Sequence, residues 1–285
     1  MEQLTFQGNT LRIDKENGAA ITYWSCQKNT LEVAPINNQS YHKFEGSLLF
    51  PFPNRLASGS YTFEGIEYQF ELNDGDNRPN ALHGLIHSVE FSLIEKLEDS
   101  IRLRYEYEGE LAAYPFPYTF EVEYKLTNNE LEIVGTVVNT GSENMPCGFG
   151  WHPYFDIQLA DQSPKFKLQK ASKIDVNDVL IPTGTEAIYK TFQELKSIEG
   201  ISLDNCFRLE KIEERSSCFL SYPGIGTLEI WQDHNFPFIQ VYKPDERAMA
   251  IEPMTCGINA FNTLQGLKKL SPQETWAFKM GLRFF

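Results

Sequence analysis

Apolar residues that recur at every second position dominate this chain, and a period of two is the signature of strands. In residues 119–126, Phe120, Val122, Tyr124 and Leu126 fall on one face, and Thr119, Glu121, Glu123 and Lys125 on the other. Asn128-Asn129 follows as a turn, and Glu130–Asn139 reads as the return strand, which makes a hairpin. Ile101, Leu103, Tyr105 and Tyr107 alternate with charged residues in the same way. A third case is 61–72, where Glu64-Gly65 separates YTF from IEYQFEL and puts Ile66, Tyr68, Phe70 and Leu72 on one face. Residues 228–231 (LEIW) and 238–242 (FIQVY) are further strands. Helical pattern is confined to one short turn at 191–196 (TFQELK). Short strands punctuated by Gly, Asn and Pro predict an all-β sandwich or barrel.

Size and charge narrow the class. The chain has 285 residues, long for one average domain but ordinary for a large β-sandwich, and no linker or repeat divides it, so 1–285 reads as one domain. At 41% apolar residues, it can build a core without metal or disulfide. A formal net charge of −14 argues against nucleic acid or an anionic membrane as partner. Five cysteines, an odd number with no CxxC pair, match neither a disulfide framework nor a zinc site. The N-terminal MEQLTFQGNT lacks the pattern of a secretory signal, and no segment is apolar enough to span a membrane. Reduced thiols in a cytoplasm are the expectation. Nothing in the sequence decides between a monomer and a homodimer.

A few residues stand out against this background. His83, in NALHGLIH, follows the polar loop 73–82 and precedes Gly84, which permits close backbone approach. His152 lies in GFGWHPYF between Trp151 and Pro153, with Tyr154 next. Glu252, in IEPMTCGINAFN, ends an apolar run, so a strand-end carboxylate with a raised pKa is expected, suited to a general base. Arg55, in FPFPNRL, is a cation in apolar company and needs a partner or ligand. Asp204, in ISLDNCF, reads on its own as a turn residue. Aromatic side chains such as Trp151, Tyr154 and Trp231 could stack on the apolar face of a sugar, within the general recipe of a small-molecule pocket.

Taken singly, each of these residues has an ordinary structural explanation. Together and in this order, NRL, HG, HPYF, LDNCF and IEPMTCGINAF resemble the motifs of the aldose 1-epimerase (galactose mutarotase) family, over nearly the whole chain. The resemblance implies a β-supersandwich with an open groove. It implies interconversion of the α and β anomers of an aldose by ring opening at C1. It assigns Glu252 as base, His152 as acid, and His83 as a hydrogen-bonding group near the ring oxygen. Arg55 and Asp204 would hold sugar hydroxyls. Trp151 and Tyr154, read from their aromatic side chains and not from the resemblance, are expected as further substrate contacts. No cofactor is implied, because the reaction has no net redox change or group transfer. Glu252 and His152 should face one groove, about one sugar ring apart.

Leu85 stands where many galactose mutarotases carry a second glycine, which points to a divergent branch. The hexose-6-phosphate branch typically has an arginine shortly after HG, where this chain reads Leu85, Ile86, His87, Ser88. A neutral aldose is therefore the expected substrate, with His87 and Arg78 as the nearest candidates for an anion and His234 as a lesser groove candidate. The alternatives are a hexose-6-phosphate mutarotase, a non-catalytic sugar-binding protein on the same fold, and a glycoside hydrolase using Asp204 and Glu252.

Overall fold

In the computed structural model, residues 1–28, 30–38, 42–212 and 214–285 are described. Two large antiparallel sheets form a β-sandwich. The first has nine strands, in the order Ser92–Lys96, Ser100–Tyr107, Tyr118–Thr127, Glu130–Asn139, Thr275–Phe284, Gly226–Gln232, Ser216–Tyr222, Lys165–Lys167 and Lys196–Ser197. The second has eight. Its main path runs Pro182–Tyr189, Ala171–Val176, Leu203–Leu209, Phe238–Lys243, Ala248–Met254, Gly150–His152 and Ser47–Leu49, with Tyr154–Asp156 also pairing with Ala248–Met254. A four-stranded sheet is built from residues 2–37, and Arg55–Ala57 pairs separately with Asn80–Leu82.

The predicted hairpin has its expected register: Thr127 faces Glu130 across the Asn128-Asn129 turn, and Tyr118 faces Asn139. Phe120, Val122, Tyr124 and Leu126 are all fully buried or nearly so. Each such side chain contributes about 1.5–3 kcal/mol by leaving water. One buried cluster takes Ile133, Leu220 and Leu282 from the larger sheet and Val241, Met249 and Ile251 from the smaller. The five cysteines are free and buried.

Two local expectations fail. The strand after Glu64-Gly65 stops at Gln69, so Ile66 (57% exposed) and Leu72 (54%) face solvent while Phe70 alone is buried. Alternation there marks a short two-stranded ribbon lying on the surface. Residues 191–196 form no helix; Phe192 is buried and its carbonyl accepts from Leu168 N (2.8 Å). Six residues are too few to repay helix nucleation, so tertiary contacts decide their path. The short helical turns lie elsewhere, at Ile86–Ser88 and Ala260–Thr263.

Candidate active site

Strand alternation on the second sheet sorts its side chains into core and groove. Ile239, Val241 and Ile251 enter the core, while the intervening Gln240, Tyr242 and Glu252 line a groove of about 430 Å³. Gln240 and Glu252 are cross-strand partners, as are Asp204 and Tyr242. His152 joins them from the next strand over, opposite Ser47. Glu252 is not at the strand end as expected, since the strand continues to Met254.

The opposite wall comes from the small Arg55–Ala57/Asn80–Leu82 ribbon and its connecting loop. Arg55 faces Leu82 in register, and His83 follows directly, its N–H donating to Asn54 O (2.9 Å). Both His83 and Gly84 have left-handed backbone, with φ of 65° and 67°. A Cβ on Gly84 would run into the backbone at Phe50 and Pro51, and Leu85 N donates to Phe50 O at 2.6 Å. Glycine is the residue that permits this approach.

His152 and Glu252 are both buried, with Nε2 and Oε1 3.6 Å apart. They share one groove, as expected, but lie side by side and not a sugar ring apart. Burial pushes the Glu252 carboxyl well above the usual carboxylate range; the charge of Asp204 adds to this and Arg55 opposes it. Burial also lowers the His152 imidazole to about 3; its own backbone opposes the shift and nearby His42 adds to it. His83 is depressed in the same way, first by burial and then by His152, Arg55 and His87. Both imidazoles are therefore neutral near pH 7. His83 Nδ1 accepts the backbone N–H of Asn54 (3.2 Å), which leaves the ring proton on Nε2.

Arg55 and Asp204 are joined through two buried amides. Arg55 Nη1 donates to Asn54 Oδ1 (3.3 Å), Asn54 Nδ2 to Gln240 Oε1 (3.3 Å), and Gln240 Nε2 to Asp204 Oδ1 (2.8 Å). A cation at one end and a carboxylate at the other fix which way each amide points. Asp204 opens to the groove, yet the surrounding walls desolvate it enough to raise its pKa despite Arg55, Arg78 and Gln240. On its other side Arg55 Nε donates to Asp74 Oδ2 at 2.8 Å. Asp74, 1% exposed, also accepts from Arg78 Nε (3.2 Å) and Asn80 Nδ2 (2.9 Å). Burial alone would raise the Asp74 pKa; hydrogen bonds from Arg78, Arg55 and Asn80 hold it below the usual range.

Six of the seven sequence-predicted site residues thus converge: Glu252, His152, His83, Arg55, Asp204 and Tyr154 all line the groove. Trp151 does not. Its indole is fully buried on the core face and donates to Gly46 O (3.2 Å), because neighbours on a strand face opposite ways. Arg78 lines the groove, bound to Asp74 and Asp76. His87 is outside it, with its ring against Phe44 (5.0 Å), and His234 is exposed and outside it too. Trp231 belongs to the larger sheet, under Arg215. Sequence reasoning missed Asn54, Gln240, Asp74, His42 and Phe44. Gln240 carried a readable signal, as an amide in the otherwise apolar run FIQV. Among the described residues, no group of three or more His, Cys, Asp and Glu is placed to hold a metal.

The fold places the chain among galactose mutarotase-like structures. A galactose mutarotase-like protein from Clostridium acetobutylicum superimposes with a TM-score of 0.85 at 18% identity, covering 99% of this chain and 94% of that one. The aldose 1-epimerase family pattern matches residues 13–283, and the chain belongs to that family. The galactose mutarotase of Sus scrofa is 27% identical over 281 residues, spanning 85% of this chain and 77% of its own. The Escherichia coli K12 protein YihR, named as uncharacterized, is 28% identical over 228 residues, spanning 76% and 72%.

Proposed function

We propose that this chain is an aldose 1-epimerase that interconverts the α and β anomers of a neutral free aldose. The observation that carries the proposal is the Glu252–His152 pair, 3.6 Å apart in one polar groove. Ring opening takes a proton from the C1 hydroxyl and gives one to the ring oxygen. Both oxygens are bonded to the same carbon, so a base and an acid serving them have to be neighbours. Glu252 takes the hydroxyl proton, and its desolvated carboxylate is the stronger base for it. Burial favours the neutral ring of His152, so it acts as acid from its imidazolium, formed beside the Glu252 carboxylate, and passes that proton to the ring oxygen as the C1–O bond breaks. His83 Nε2–H donates to the charge developing there. The aldehyde turns about C1–C2, and the two proton transfers reverse on the other face. Arg55 and Asp204, locked in orientation by Asn54 and Gln240, hold hydroxyls away from C1.

Groove charge supports a neutral sugar. Arg55 and Arg78 are shared by Asp74, Arg78 also pairs with Asp76, and Asp204 and Glu252 add negative charge. Lys43, exposed at the groove, is the group to suspect if a phosphosugar is preferred. Burial of Glu252 beside an intact His152 favours catalysis over mere sugar binding. A cytoplasmic setting and action on a small sugar without a macromolecular partner belong to the same reading.

Polarimetry with freshly dissolved α-D-glucose, α-D-galactose and glucose 6-phosphate tests it. Glu252→Gln should lower turnover by roughly 10²–10⁴-fold while calorimetry still detects sugar binding. Wild-type turnover in that variant would remove Glu252 from the role of base.

A further inference from the structure

His83 and His152 face the same groove but are held by different means. A hydrogen bond from the Asn54 backbone fixes the His83 ring. His152 has no such clamp from another residue: its Nδ1 is buried, and the polar group that acts on it is its own backbone. Its Nε2 is 3.6 Å from Glu252, beyond hydrogen-bond reach. Instead, aromatic rings enclose the imidazole. Tyr154 stacks on it at 5.1 Å and 22°, Phe44 lies beyond at 6.3 Å, and His83 meets it edge-on at 5.2 Å. Tyr154 is itself stacked on His42 at 4.8 Å and 15°. The His42 backbone is held, its main-chain N–H donating to Glu45 Oε1 (2.8 Å), and its ring Nε2 lies 3.9 Å from Asp245, beyond hydrogen-bond reach, so the stack and burial hold the ring. Its side chain is only 11% exposed.

We propose that Tyr154 and His42 are positioning residues that hold the His152 ring in the plane from which Nε2 serves the ring oxygen, a role resting on the epimerase reading above. The imidazole cannot turn out of that plane without displacing Tyr154 or Phe44, and Tyr154 cannot yield without displacing His42. Three parallel rings, His42, Tyr154 and His152, thus do for the acid what one backbone hydrogen bond does for His83. Stacked ring pairs of this kind stabilise their geometry with little entropic cost. An imidazole free to turn by an ångström at its tip would lose much of the orientation that catalysis needs.

The test compares Tyr154→Leu and His42→Ala with Tyr154→Phe and His42→Phe. Mutarotation rates over a range of sugar concentration give kcat and KM. A ¹⁵N-labelled protein gives the His152 ring nitrogens by NMR. Tyr154→Leu should lower kcat roughly 10–100-fold with KM little changed, and His42→Ala roughly 10-fold. The two phenylalanine variants should restore the larger part of each loss. The His152 nitrogen signals should pass from one sharp set, as from a ring held in one orientation, to exchange-broadened ones in Tyr154→Leu and His42→Ala. His42 stands at the groove rim, so His42→Ala carries the test if Tyr154→Leu does not fold. A rise in KM with kcat unchanged would mean that the rings only contact sugar and would overturn the proposal. Unchanged nitrogen signals would overturn it equally. If the wild type accelerates mutarotation of no aldose, the function fails instead, and the nitrogen signals still decide the positioning role.

Discussion

Asp74→Asn isolates the electrostatic centre of one groove wall. Asp74 is 1% exposed and is the shared counter-ion of Arg55 (13%) and Arg78 (21%). Removing one member of a buried ion pair costs about 3–5 kcal/mol, because it strands the other charge. Both guanidinium groups reach groove water, and Arg78 keeps Asp76 at 2.8 Å, so the lower part of that range applies. The variant should lose roughly 2–4 kcal/mol, read as a lower urea midpoint at unchanged slope. It should also raise KM, since Arg55 loses the partner that aims it. The acid side adds a second reading. The folded protein holds the Asp74 pKa below its unfolded value near ~3.9. That stabilisation is complete above the unfolded pKa and disappears as pH falls through the folded one. Asp74→Asn should lack this part of the acid-side slope. A variant within about 0.5 kcal/mol of wild type, with the same acid-side slope, would refute the claim that Asp74 organises the wall.

Other perturbations reach other parts of the site. Gly84→Ala should cost roughly 2–4 kcal/mol through its contact with the Phe50 backbone and should disturb His83, seen as lower melting temperature and lower kcat together. A survivor with wild-type stability and rate would show that the backbone can yield there. The rate should fall as pH falls through the raised pKa of Glu252, because protonation removes the base. Asp204 contributes to that rise, so Asp204→Asn should move the acid limb of kcat/KM to lower pH, and an unmoved limb would remove Asp204 as a cause.

Much of this was legible in the chain because alternation is a local property. The hairpin of Tyr118–Thr127 and Glu130–Asn139 follows from a dozen side chains and two asparagines. The site residues were legible only as an ordered set of motifs, and the exceptions have physical causes. GFGWHPYF does not alternate, so it could not say that Trp151 faces the core and His152 the groove. Leu72 continues a pattern past the end of its strand, because nothing packs over that face. Asn54 and Gln240 lie 186 residues apart, and their hydrogen bond exists only once the ribbon docks beside the second sheet. The spacing of Glu252 and His152 is set by register between strands, which no single segment encodes.

The contact from Asn54 to His83 reaches further than its 3.2 Å suggests. The donor is a peptide N–H, present whatever side chain occupies position 54. Only proline would delete it, and proline cannot take the φ of 57° found there. The polarity of this imidazole, a donor toward the groove, is therefore inherited from the path of the main chain. Side-chain substitution at Asn54 can weaken the amide relay to Asp204 while leaving that polarity untouched. Retuning it takes a different backbone.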